Sequence, residues 1–577
     1  MKVTRKVLFI ILSIAFLLVG GIWFLKYQLK KDQPANAPAI TQEEQSPLDL
    51  RPAAIAKLQQ LVESGSDSLY QLGIDSLLTD IATGTIILKG VSVLPDSNII
   101  RLMREQKRLP DDIFSITFES LRITGIGLAD LVNRRDISLQ SIVCVGPQIS
   151  VQHRRQSYNA DKRAAAKGGS LFSRLNGQID RIAIDSISIV KGTVTDKNEG
   201  LTNTYKDVSI ALREVLIDST AERDVTRFLF AKTTLLQAGK ITMPAGKGEY
   251  DLSIGGIAIS GEKQELRIQG FTMKPHGGKA EFLRNQPHQV EVYDLSMPAI
   301  TLKGVDWWAA VHGESLIAKE AELADARIYI YLDQRLPGSG KVKRDNFPQQ
   351  MLMDAKMPIS LKEFRLKNVN LIYEELTKAS GKQSSLTFNK MNGVAAGFTN
   401  LPAEVAAHPE ASFKGSCQFM NASEMTGTFT FALPRAKRGA FTANLSLGPL
   451  AAETVNPFGE AMGLLRIKTG ELQYAKATVS GNQNRIQGRL TAAYTNLHIM
   501  PLKTAKEEGE PLRKKRVIGK IANVLLVKDN NPQKGRDLRT SDFTLDRTTE
   551  GNFFNFMWMG IRDAMLKTIG VPPSLGG

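Results

Sequence analysis

The sequence is short of almost everything that catalysis or metal binding would need. Its 577 residues include two cysteines, Cys144 and Cys417, and six histidines. So few cysteines exclude a disulfide framework and a thiolate metal site, leaving at most one long-range bridge in an oxidising compartment. The histidines, His153, His276, His288, His312, His408 and His498, are scattered, and none stands in an H-E-x-x-H spacing. There is no G-x-S-x-G elbow and no Walker loop. Carboxylate pairs such as Asp111-Asp112 and Glu374-Glu375 fall in contexts that read as loops or exposed positions. Adjacency in sequence says nothing about whether two acids meet across a substrate. Asp306-Trp307-Trp308 could stack on a sugar or line an apolar mouth, although core packing is the commoner fate of tryptophan. The chain is therefore expected to be no enzyme and to use no cofactor and no metal.

Charge is missing altogether from Val7 to Leu25, VLFIILSIAFLLVGGIWFL. As a helix rising about 1.5 Å per residue, this run spans roughly the hydrocarbon thickness of a bilayer. Lys2, Arg5 and Lys6 precede it, and Trp23 and Tyr27 stand where an aromatic belt would lie. A cleaved signal peptide is the alternative. The run is long for that role, and Lys26, Lys30 and Lys31 follow it before any small-residue cleavage site. Residues 1–31 are read as an uncleaved anchor with the bulk of the chain exported, and residues 32–48, rich in Pro, Ala, Gln and Glu, as a tether. The formal charge of +16 raises nucleic-acid binding. No zinc-finger, helix-turn-helix or RRM signature accompanies it, so no nucleic acid is expected, and a cationic face near anionic lipid headgroups explains the charge better. Arg513-Lys514-Lys515-Arg516, the one dense cluster, reads as a solvated loop.

What the chain has in abundance is one repeated phrase. Ile182 and Ile184, then Ile187 and Ile189, recur as Phe364 and Leu366, then Val369 and Leu371. A looser form runs through Ile137, Leu139, Ile142 and Cys144 to Ile149 and Val151. Apolar side chains at every second position mark strands that bury one face, and the phrase reads as two brief strands with a turn-sized gap. Residues 49–82 look helical at first, from Ile55, Leu58, Leu61 and Val62. Short helices are expected near Asn98–Lys107 and at LADLVNRR, and 336–356 as a linker or large loop. In NFFNFMWMGIRDAMLKTIG, Phe553, Phe556, Met557 and Ile561 share a helix face flanked by Phe554 and Trp558. That helix either caps the last strands or touches a membrane.

With these features in view, the chain resembles the AsmA-like family of Gram-negative envelope proteins, which includes the TamB and YhdP types. The resemblance is carried by the anchor with DSLLTDIATGTIILKGVSVLPD and by FESLRITGIGLADLVNRRDISLQSIVCVGPQISV. The strand pairs IDRIAIDSISIVKGTVTD and ISLKEFRLKNVNLIYEE add to it, as does LLRIKTGELQYAKATVSGNQNRIQGRLTAAYTNLHI. The tail from Asn530 is similar to Bacteroidota members.

The resemblance implies a mainly β fold with a few helices: a transmembrane helix, then an elongated, curved antiparallel sheet forming a taco-like lipid groove, and a C-terminal amphipathic helix. It places the chain as single-pass in the inner membrane with its bulk in the periplasm. The corresponding regions are a groove over 49–335, a second groove region over 357–502, a polar basic loop with terminal strands over 503–550, and the helix over 551–577. Implied partners are phospholipid or another acyl lipid, the inner membrane, and outer-membrane or envelope assembly proteins. Ile182, Ile184, Ile187, Ile189, Val208, Ile210 and Leu212 are the candidate groove lining. Phe553, Phe554, Phe556, Met557, Trp558 and Ile561 are the candidate membrane contacts. The implied role is phospholipid transport or envelope homeostasis. The alternatives are an assembly scaffold for outer-membrane proteins or polysaccharide and, less favoured, a carbohydrate-active β-solenoid enzyme.

Overall fold

A computed structural model describes residues 51–571 except 81–82, 126–135, 160–179, 199–200, 222–223, 225, 229, 238–240, 246–247, 313–314, 339, 341–343, 379, 464, 503–526 and 548–550. The expected anchor, the tether, the LADLVNRR helix and the Arg513–Arg516 cluster lie outside the described residues. Among those described, no helix is long and apolar enough to cross a membrane. The fold is mainly β, and it divides into two compact units.

The first unit comprises residues up to Met243 with Ile254–Arg267 and Asp306–Gly313. It begins with helix α1 (Arg51–Gly65), strands β1 (Tyr70–Asp80) and β2 (Thr85–Pro95) and helix α2 (Ser97–Glu105). Then come β3 (Asp112–Thr124), β4 (Asp136–Val145), β5 (Gln148–His153), β6 (Arg181–Asn198), β7 (Leu201–Ile217) and β8 (Ala231–Gln237). The sheet order is β1-β2-β3-β4-β6-β7-β8, with β5 also between β3 and β6. The helix expected across 49–82 stops at Gly65, and Tyr70–Asp80 is strand instead. Asp67 and Ser68 turn the chain at φ 52° and 62°, and Leu72, Ile74 and Leu77 then pair into β2. A ladder partner outweighs local helical spacing there.

The repeated phrase is not two strands with a turn between them. It is one long strand with an irregular step. In β6, Ile182, Ile184, Ile187 and Ile189 are all buried on the core side. A three-residue step would flip the second pair outward in a regular strand. In β6 the partner strand takes the matching step, with Ile184 and Ile187 opposite Val215 and Leu212 and Glu214 at φ 50°, so both pairs keep the core face. In β16 the step from Leu366 to Val369 is a bulge against β17. The step recurs at Leu88/Val91 in β2, Phe118/Leu121 in β3, Leu139/Ile142 in β4 and Leu212/Val215 in β7, all buried. The steps in β2 and β3 line up with each other and with Gly146 and Lys191 of the next strands. Asp75 falls opposite Gly90, Gly90 opposite Glu119, and Glu119 opposite Gly146, which lies level with Lys191. Gly90, Gly146 and Lys191 have φ of 58°, 64° and 57°. A β-carbon at Gly146 would meet only the flexible end of the Glu119 side chain, at 2.7 Å, so it is the positive φ that favours glycine here.

The sheets are mixed, which corrects the all-antiparallel expectation. β4 and β5 both run parallel to β6, with Ile142 beside Ile187 and Ile149 beside Val194. Parallel neighbours need a crossover rather than a hairpin.

The second unit repeats this plan. The chain runs on through β9 (Ile241–Ala245), β10 (Tyr250–Ile254), β11 (Gly256–Ser260), β12 (Glu265–Pro275), helix α3 (Lys279–Arg284), β13 (Glu291–Lys303) and α4 (Trp307–His312), of which β11 and α4 fall in the first unit. Next are β14 (Leu316–Ala324), β15 (Arg327–Asp333), helix α5 (Pro348–Met353), β16 (Ile359–Leu376) and β17 (Gln383–Thr399). β14 and β15 pair antiparallel with β13 and parallel with β16, as β4 and β5 do with β3 and β6. The two best copies of the sequence phrase thus occupy equivalent strands, β6 and β16. The sheet continues through β18 (Glu410–Phe419), β19 (Ser423–Ala432), β20 (Phe441–Leu447), β22 (Leu465–Gly481), β23 (Arg485–Pro501) and β24 (Thr540–Asp546). Helix α6 (Pro402–Ala407), the short β21 (Leu450–Ala451) and helix α7 (Asn456–Gly463) lie between them, and helix α8 (Phe553–Ile569) follows. The stretch read as a linker carries α5, with Phe347, Gln349 and Gln350 fully buried. Cys144 and Cys417 are free thiols, and burial pushes them up to about 12 and about 11.

Candidate functional site: a half-covered apolar sheet face

The structure brings the seven groove candidates together and already covers them. Ile187 faces Leu212 and Ile189 faces Ile210 across β6 and β7. Ile182, Ile184, Val208 and the others are between 2% and 8% exposed. They form one core with Val62 of α1 and Met103 of α2. A ligand could reach them only by displacing protein.

The C-terminal helix spends its aromatic stripe in a similar way. Asn552 caps α8 by accepting from the Asn555 N–H, and Gly570 ends it in the left-handed conformation at φ 84°. Phe553, Phe556 and Met557 are buried against β19, β20, β23 and β24, with Ile561 packed on the same cluster. Trp558 meets Phe458 edge-on at 5.4 Å between ring centres. Of the six candidate membrane contacts Phe554 is 60% exposed, Trp558 and Ile561 are partly exposed, and the other three are buried.

A partly exposed apolar face lies elsewhere, across β16 to β19. Phe364, Leu366 and Leu371 in β16, Phe388 in β17, Phe413 in β18 and Met425 in β19 share one side of the sheet and are all partly exposed. At its centre Val369 is fully buried, packed with Leu323 and Ala326. Gly393, Gly415 and Gly427 form a row on this side of three successive strands. The missing side chains lower the floor, and the Phe413 ring lies across it: β-carbons at Gly393 and Gly415 would stand 2.7 and 2.9 Å from its Cζ. The sequence reading identified Phe364, Leu366 and Leu371 as strand residues but not as lining. The available signal was glycine at inward positions of three consecutive alternating segments.

This face ends in a polar row. Glu291 of β13, Leu332 of β15 and Glu375 of β16 stand side by side, with Tyr293 and Tyr373 one step in. Glu375 is 1% exposed, not the exposed or loop acid that its sequence context suggested. Burial is the main cause that raises its carboxyl to about 7; the Tyr373 hydroxyl opposes that rise, and the nearby Glu291 charge adds to it. Gln334 also donates to it. Glu291 accepts from the Tyr293 hydroxyl at 2.5 Å and from Asn552 Nδ2 at 2.7 Å. Burial, with this hydrogen bond next, raises Tyr293 far above the usual tyrosine range. The row can therefore hold a proton at neutral pH beside an apolar floor. Among the described residues no His, Cys, Asp and Glu cluster could hold a metal ion. Trp307 of the Asp-Trp-Trp sequence is buried, 4.8 Å from Phe228 between ring centres, and Asp306 caps α4 through the Ala309 N–H.

No family model matches the chain, and no curated protein matches it. Among solved structures, the sex pheromone staph-cAM373 precursor aligns over 62% of this chain and 96% of its own at 9% identity. Its TM-score of 0.11 carries no argument about fold or function.

Proposed function

We propose that this is a non-enzymatic envelope protein of the AsmA-like type that is anchored in the inner membrane by Val7–Leu25. In this reading its periplasmic bulk holds an acyl lipid against an apolar β-face, serving phospholipid transport or envelope homeostasis. The observation that supports this reading is the floor of β16–β19, where large apolar side chains remain partly exposed around a glycine row. An acyl chain laid there gains about 0.8 kcal/mol per methylene removed from water. The long groove implied by the family becomes, in this reading, a site confined to the second unit, because the isoleucines of β6 are already core.

The test is photocrosslinking in the full chain in its own membrane, with p-benzoylphenylalanine in place of Phe413. A lipid-mass adduct is expected there and not from the same probe at the outward-facing Lys414. Adducts at neither position, or the same adducts at both, would sink the reading. A second reading, a scaffold that recruits strands of client proteins, draws on β1 and β24, each hydrogen-bonded to a single strand among the described residues. Crosslinks from β24 to other proteins, without lipid at Phe413, would favour it.

A further inference from the structure

We propose that the end of the first unit formed by α2 and the chain leaving β5 is a docking surface for an anionic lipid bilayer. Six cations meet there: Arg101 and Arg104 on α2, Lys107 and Arg108 just beyond it, and Arg154 and Arg155 after β5. The Arg154 N–H donates to the Asp111 carbonyl at 2.8 Å, which sets the end of β5 beside the Arg108–Asp111 run. All six side chains are exposed, and none forms an ion pair among the described residues. The facing acids are otherwise engaged. Asp112 pairs with His153, Asp111 accepts from Asn159 Nδ2 and the Gln156 N–H, and Asp96 caps α2 through the Asn98 N–H. Glu105 alone of the acids on α2 stands exposed among the cations.

Two exposed leucines lie on α2 and on the strand that leads into it. Leu94, at the end of β2, is 44% exposed and Leu102, on α2, is 45% exposed. The underside of α2 is fixed by Met103 at 5% and Leu109 at 1% exposure, so the outward face of α2 is rigidly presented. Cations together with exposed leucines suit a headgroup layer, where the charges meet lipid phosphates and the leucines enter the acyl boundary. A nucleic-acid backbone would use the charges and leave the leucines in water. Position agrees. In sequence this unit follows Val7–Leu25, and the turn after α1 lies against the start of α2, where the Asp96 N–H bonds the Leu69 carbonyl at 2.9 Å. The 25 residues between Leu25 and Arg51 can span up to roughly 85 Å, enough to let this end reach the bilayer surface. The proposal shares the membrane anchor with the functional reading above and is independent of lipid at Phe413.

The test places the full chain in nanodiscs of phosphatidylcholine, with or without phosphatidylglycerol, carrying a bimane label on L102C or, separately, on L94C. Cys144 and Cys417 are buried and do not compete for the label. Brominated lipid should quench either label in the phosphatidylglycerol discs and not in neutral ones, with quenching lost at high salt. Arg101→Gln, Arg104→Gln and Lys107→Gln should each weaken the contact roughly fivefold, the ratio given by about 1 kcal/mol per basic residue at an anionic surface, with circular dichroism unchanged. Equal quenching in both discs, none in either, or no effect of neutralisation would overturn the proposal, as would retention on RNA without quenching by lipid. Co-migration of the chain with the discs reports the anchor separately, and the Phe413 crosslink reports the lipid floor.

Discussion

The ring of Phe413 occupies the space that a side chain on Gly393 would fill, its Cζ lying 2.7 Å from the position of the missing β-carbon. The two residues belong to neighbouring strands, so the shape of the floor depends on a glycine on one strand and an aromatic on the next. Gly393→Ala should therefore push the ring aside at a cost of about 1–3 kcal/mol from overpacking. Urea unfolding measures the cost, and loss of the lipid adduct at Phe413 reports the displaced ring. Gly415→Ala should cost more, because its β-carbon would also stand 2.7 Å from the rigid Asn392 carbonyl oxygen.

Substitutions in the two units should separate packing from binding. Ile184 is 2% exposed inside the first core, so Ile184→Ala should destabilise by about 2–5 kcal/mol. Phe413→Ala, on a partly open face, should cost less in unfolding and more in bound lipid. A charge at Ile184 would unfold the first unit, and lipid lost with it would report stability alone.

Stability should also respond to the Glu375 proton. Its folded value is raised from 4.5 to about 7, so the folded state holds the proton more tightly than the unfolded chain does. Stability is then greatest on the acid side, falls as pH rises from about 4.5 to about 7, and is level above that. The shift corresponds to a penalty on the order of 3 kcal/mol at alkaline pH. Glu375→Gln should remove most of that slope, seen in urea midpoints at pH values on either side of the window. An unchanged slope would mean that the carboxyl ionises without penalty.

Arg547 offers a sharper contrast. Its Nη2 donates to Asn346 Oδ1 at 3.0 Å and to the Gly551 carbonyl at 2.8 Å, while Nε and Nη1 are buried without partners. The guanidinium lies 5.1 Å from the Phe347 ring centre and 5.5 Å from that of Phe556, and burial pulls its pKa down. Arg547→Met keeps the stem and removes a desolvated charge, so stability should hold or rise by about 1 kcal/mol. Arg547→Ala should lose about 2–4 kcal/mol through the cavity between the rings. Equal losses in both would show that the charge itself holds the rings.

Much of the strand content was legible in the sequence, because alternation survives whatever a face packs against. Ile182 to Ile189 and Phe364 to Leu371 were marked as β and as copies of one phrase, and they occupy matching strands. The gap inside the phrase was not legible. A turn and a bulge both insert polar residues between apolar pairs, and only the partner strand decides between them. Parallel pairing escaped for the same reason, since Ile142 carries no mark of the direction of Ile187. The site was less legible still. Period alone cannot distinguish Ile184, closed in a core, from Phe413, left partly open, and Glu375 lies next to an acid on the opposite face of its strand.

The aligned steps of the first sheet have a consequence for how such a surface can change. Asp75, Gly90, Glu119, Gly146 and Lys191 form a crease across neighbouring strands. The backbone departs from regular strand along this line in each strand at once, and side chains away from it can be exchanged without altering the register. A single-residue insertion in any one strand would shear the crease. Replacing the residues away from the crease would instead retune what the surface accepts while leaving its register intact.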